Sequence, residues 1–164
     1  MSRRIFRHHR FLSVFLILPL LAACSNPVDS HDEHEDHAEA QGIRLVSGST
    51  THYQVLKGLV TCPAAPCGVA LTIGQPLSGI EVQFLDENGA EIHAEDLSPE
   101  FTLSFSVASP GLALVEQEGR FGLKMTGVTS GSTTMQVVLN HDGHADLTTP
   151  PLSDAGAVQL TVSP

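Results

Sequence analysis

The octet Phe101-Thr102-Leu103-Ser104-Phe105-Ser106-Val107-Ala108 decides the fold. Phe101, Leu103, Phe105 and Val107 fall at every second position, with small residues between them. Strand side chains point alternately to opposite faces, so this run has one apolar face and one polar face. A helix would divide the same four apolar residues between two sides and bury neither.

The same grammar extends in both directions. Toward the C-terminus, residues 112–115, 121–125, 133–139 and 158–162 are short apolar or alternating runs bounded by Gly, Ser and Thr. Toward the N-terminus, Ile80, Val82 and Phe84 alternate with Glu81, Gln83 and Leu85, and Asn88-Gly89 marks a tight hairpin turn. Residues 69–73 stop at Gly74, and 43–46 and 53–56 flank the polar turn 47–51. No helical stripe competes. Seven to nine short strands at this spacing predict an all-β chain, a β-sandwich with Greek-key connections.

Three passages resemble the bacterial immunoglobulin-like (Big) domain family. Gly68-Val69-Ala70-Leu71-Thr72-Ile73-Gly74-Gln75 followed by the 80–90 run resembles its opening strand, Gly turn and second strand ending in Asp-x-x-Gly. Phe105-Ser106-Val107-Ala108-Ser109-Pro110 and Ala113-Leu114-Val115-Glu116 resemble its Ser-x-Pro passage. Gly127-Val128-Thr129-Ser130-Gly131-Ser132-Thr133-Thr134-Met135 resembles its step into a late strand. The resemblance covers about residues 68–164 and implies an immunoglobulin-like β-sandwich and a presentation role, because function rides on grafted sites. The chain departs from it in having no Trp and in the long 140–156 segment. Residues 43–67 would be an added N-terminal hairpin and cysteine loop.

Ahead of this domain the composition changes twice. Arg3, Arg4, Arg7 and Arg10 precede the apolar run 11–21, which ends in Leu21-Ala22-Ala23-Cys24. The run contains Pro19 and is shorter than the ~20 residues a bilayer span needs. This arrangement resembles a bacterial lipoprotein signal, which implies that 1–23 is a cleaved signal peptide and that Cys24 is acylated, palmitate among its chains. Two or more acyl chains would hold the protein stably. Ser25 after the cysteine implies sorting to the outer membrane. Residues 24–42 show no apolar periodicity and are expected to form a disordered, acidic, His-rich tether before the domain at 43–164. The eighteen residues from Ser25 to Gly42 reach at most ~60 Å when extended.

Charge narrows the function. All carboxylates lie beyond Cys24 and four of the eight Lys and Arg before it, so cleavage takes the net charge from -10 to -14. Such a chain repels phosphate backbones and suits cations, so no nucleic-acid partner is expected. Cys62 and Cys67 are an even pair in an exported, oxidising context, with four residues between them rather than the two of redox motifs, and are expected to form a disulfide.

Histidine supplies the candidate chemistry. His31, His34 and His37 recur every third residue among carboxylates, a donor set for Zn²⁺, Ni²⁺ or Cu²⁺. This tract resembles those of His-rich envelope metal-binding lipoproteins. A second cluster spans Asn140-His141-Asp142-Gly143-His144-Ala145-Asp146. A two-residue Asp-Gly turn would set Leu139 opposite Asp146. A three-residue loop, 141–143, instead pairs Leu139 with Ala145 and places His144 and Asp146 on one outward face. His93 lies in a connection expected at the same pole of the sandwich, so His93, His141, His144 and Asp146 are the predicted zinc ligands, and His52 is a surface residue.

Catalysis is not expected. Ser98, Ser109 and Ser130 lack a nucleophile elbow, and the chain has neither His-Glu-x-x-His nor a Gly-rich phosphate loop. Two readings of function remain: a monomeric lipid-anchored protein that binds or buffers a divalent metal, zinc foremost, for a transporter or receptor, and a structural or adhesive surface module with incidental histidines.

Overall fold

The computed structural model describes residues 39–63 and 67–164, all within the unit His34–Pro164. The expected signal peptide, the expected lipidation site Cys24 and the histidines His31, His34 and His37 of the expected tether lie outside the described residues. Twelve strands run through the described chain: β1 (Gly42–Ser47), β2 (Thr50–Leu56), β3 (Leu59–Thr61), β4 (Gly68–Thr72), β5 (Pro76–Leu85), β6 (Glu91–Ile92), β7 (Thr102–Val107), β8 (Ala113–Glu118), β9 (Gly122–Gly127), β10 (Gly131–His141), β11 (His144–Thr148) and β12 (Val158–Ser163). They form two sheets. One has the order β3-β2-β1-β5-β9-β8, with β6 also on β5; the other has the order β11-β10-β12-β4, with β7 on the free side of β10.

This is an immunoglobulin-like arrangement. β1-β5-β9-β8 occupy the places of the A, B, E and D strands, and β7-β10-β12 those of C, F and G. The 43–67 segment supplies the A place: β1 pairs antiparallel with β5 from Gly42↔Leu85 to Ser47↔Ile80, and β2 and β3 widen the sheet beyond it. The chain then changes sheet, and β4 pairs with β12 in parallel. A Cβ on Gly68 would stand 1.9 Å from the Gln159 carbonyl oxygen, so only glycine permits this approach.

The alternation of apolar residues becomes the core. Ile43 and Leu45 of β1, Ile80, Val82 and Phe84 of β5, and Leu123 and Met125 of β9 face Leu103 of β7, Met135, Val137 and Leu139 of β10, and Leu160 and Val162 of β12. Each buried side chain of this size contributes on the order of 1.5–3 kcal/mol. Phe84 and Phe121 meet edge to face at 5.0 Å. The long 149–157 segment lies against the sheets through defined bonds. Thr134 Oγ1 donates to the Leu152 carbonyl (2.7 Å), and the buried Tyr53 hydroxyl donates to that of Gly156 (2.8 Å).

Cys62 and Cys67 are joined, with Cα atoms 5.1 Å apart, inside the range a disulfide tolerates. Asn88-Gly89 does turn the chain: Gly89 has φ 82°, and Leu85 pairs with Glu91. Backbone amides of Ala90 and Asn88 donate to the Asp86 carboxylate (2.8 Å each), which holds its carboxyl below the usual range.

Candidate functional site

The pole of the sandwich that holds the β6–β7 connection also holds the β10–β11 hairpin, because Asn140 of β10 pairs with Thr102 at the start of β7. The connection has its own internal turns, with Asp96 N–H donating to the His93 carbonyl and Phe101 N–H to that of Ser98. Its two apolar anchors, Leu97 and Phe101, are buried.

Arg120, in the turn between β8 and β9, pins this connection from the side. Its guanidinium donates to the carbonyls of Ala94 (2.8 Å), Leu97 (3.2 Å), Ser98 and Phe101 (3.4 Å), and sits over the Phe121 ring at 4.6 Å. Charge-assisted bonds of this kind are the stronger class, and several to one loop fix its path. The path delivers Glu100 and Phe101 to the end of β10.

There His141 is the last residue of its strand. Its ring stacks on Phe101 with centroids 4.3 Å apart and planes 11° from parallel. Nε2 lies 3.6 Å from Glu100 Oε2. Asp142 follows as the first turn residue, at φ 50°. One ligand atom each from Glu100, His141 and Asp142 falls within 4.8 Å of the other two, and among the described residues this is the sole group of three or more His, Cys, Asp and Glu so placed. Glu100 and Asp142 are exposed and His141 is half-buried.

The other expected ligands fall elsewhere. His93 is exposed, and its Nδ1 lies 4.0 Å from Glu91 Oε1. His144 and Asp146 are exposed on the hairpin, outside any such group among the described residues. The two connections share a pole as the sequence implies, but Glu100, not His93, is the residue that reaches His141.

The hairpin register corrects the three-residue loop. His141 pairs with His144 and Asn140 with Ala145 across a two-residue turn, and then Leu139 pairs with Leu147. Asp142 and Gly143 have φ of 50° and 78°, the two positive values a type I′ turn requires. Asp146 is the extra residue of a β-bulge, which keeps it off the apolar face and returns Leu147 to the inside. His52 is corrected too. It is half-buried, bonded to Ser47 Oγ through Nε2 (2.6 Å), and burial lowers its pKa.

Glu100 was legible only through strand adjacency. Had β7 been set beside β10, the residue preceding Phe101 would have fallen next to His141. Asp142 reads from sequence as a turn residue, and the structure places it as the first residue of a two-residue turn beside His141.

No protein-family model matches the chain, and no curated protein does. Among solved structures it is similar to the S-layer protein SbsC, domains 4 and 5, at 16% identity over 59% of this chain and 47% of that one, with a TM-score of 0.40. It is likewise similar to SbsC domains 5-6, at 17% identity over 58% of this chain and 39% of that one, also with a TM-score of 0.40. The chain thus spans less than half the length of either S-layer structure.

Proposed function

We propose that the chain is a structural module of the cell envelope: an immunoglobulin-like domain of the bacterial Big type, lipid-anchored at Cys24 and lifted from the outer membrane by a tether that ends ahead of β1. The nature of the interior carries this reading. Among the described residues the polar groups of buried side chains are the Tyr53 hydroxyl, bonded to the Gly156 carbonyl, and the hydroxyls of Thr133 and Thr149. Both threonines are tied to backbone, Thr133 Oγ1 accepting from Ser109 N–H and Thr149 Oγ1 from Val137 N–H (2.9 Å each). Such groups hold strands in place and offer nothing to a substrate. The rest of the core is apolar side chains meeting across two sheets. The domain supports what is attached to it and presents loops at its poles.

A second reading, zinc buffering for a transporter or receptor, draws on His31, His34 and His37, and the grouping of His141 with two carboxylates favours it. Deletion of the gene separates the two. The structural reading expects detergent sensitivity with unaltered growth under zinc limitation, restored by the wild-type chain and not by Cys24→Ser. A zinc-limited growth defect with an intact envelope would favour the buffering reading instead.

A further inference from the structure

We propose that Glu100, His141 and Asp142 form a binding site for one divalent transition-metal ion of the zinc class, and that the bound ion ties the β6–β7 connection to the β10–β11 hairpin. The proposal goes beyond the structural reading and does not depend on the lipid anchor.

The donor set selects the class of ion. One imidazole with two carboxylates suits zinc and its neighbours, whereas magnesium and calcium prefer oxygen alone. The spacing is near what such an ion needs. Zn–N and Zn–O bonds of ~2.0–2.1 Å place tetrahedral ligand atoms about 3.3 Å apart. His141 Nε2 and Glu100 Oε2 are 3.6 Å apart, and one ligand atom from each of the three residues lies within 4.8 Å of the other two. Small rotations of two exposed carboxylates close the remainder.

Each donor stands on backbone that is already fixed. His141 ends a paired strand, and its ring plane is set by the stack on Phe101. Asp142 occupies a turn position with φ 50°. Glu100 rides on a connection whose carbonyls are bonded to Arg120 on both sides of it, at Ser98 and at Phe101. Ordering entropy, which weakens sites on flexible chains, is therefore largely met before the ion arrives. The site opens to solvent on the Glu100 and Asp142 side, so water would complete the coordination. Glu95, Asp96 and Asp146 on the same two segments add to the negative field.

The test uses the full chain in detergent with His31→Ala, His34→Ala and His37→Ala, so that tether donors are absent. Calorimetric titration with zinc chloride should give one ion per chain. His141→Ala should weaken binding at least tenfold and Glu100→Gln several-fold, while His93→Ala and His144→Ala leave it unchanged. His141→Phe keeps an aromatic ring on Phe101 and removes both nitrogens; it should stay folded by circular dichroism and bind no zinc. A folded His141→Phe chain that still binds zinc overturns the site. So does absence of zinc binding by the triple-alanine chain, or a loss on His144→Ala as large as that on His141→Ala. Cys24→Ser should leave zinc affinity unchanged, so failure of the site and failure of the anchor are read separately.

Discussion

Among the histidines of the domain, burial divides residues that the sequence treats alike. His52 is the extra residue where Leu45 pairs with Tyr53 and Val46 with Thr51, and this bulge brings it against Ser47. A bulge is invisible in an alternating pattern, which reads His52 as a surface residue. Burial favours the neutral ring and holds the folded pKa below 6.5. The unfolded chain then binds the extra proton first, so stability is full above about pH 6.5 and declines as pH falls below it. Urea unfolding at pH 7.5 and 5.5 should show that decline, and His52→Gln should flatten it. Gly68 is a second case of hidden constraint. The sequence shows a glycine opening a strand; the close partner, Gln159, lies far along the chain. Gly68→Ala should destabilise by about 3 kcal/mol, because backbone rather than a flexible side chain stands in the way. Chemical denaturation would measure it, and a loss below about 1 kcal/mol would mean that β4 can slide away from β12.

At the scale of elements, strands with strict alternation were legible and the hairpins that join them were less so. β7 and the C-terminal part of β5 are where the alternation places them, and the turn at Asn88-Gly89 is present. β3 has no counterpart in the sequence reading, because the β2–β3 turn is Lys57-Gly58 and lysine at φ 50° is not a turn signature. In the β10–β11 hairpin the apolar pattern demanded that Leu147 point inward. A longer loop and a bulge satisfy that demand equally, and the chain uses the bulge. The two differ in what a deletion does. Removing Asp146 should regularise the hairpin, keep Leu139 opposite Leu147, and change stability by no more than about 0.5 kcal/mol. Under a three-residue loop the same deletion would turn Leu147 outward at a cost of about 2 kcal/mol. Thermal unfolding of the deletion variant decides between them.

For the whole molecule, the number and spacing of short strands was enough to specify a two-sheet sandwich, and the route of the chain between sheets was not. β1 in the A place and β4 beside β12 are choices of long-range pairing, which local pattern does not encode. The disulfide sits at that crossing. Cys62 follows β3 in one sheet, and Cys67 precedes β4 in the other while its carbonyl accepts from Gln159 N–H at 2.9 Å. Two effects of the bond are therefore separable. It restricts the unfolded chain, which for a loop this short is worth about 2 kcal/mol. It also adjoins a junction that is held independently, by the parallel β4–β12 ladder and by Gly74 N–H donating to the Gly127 carbonyl at 2.9 Å. Cys62→Ala with Cys67→Ala should then lower Tm by about 8 °C while leaving the native sheet intact. Amide exchange of residues 69–72 gives the decisive readout. Protection reduced only in proportion to global stability places the effect in the unfolded state. Selective loss of protection in β4 would show instead that the disulfide holds the crossing strand in the fold.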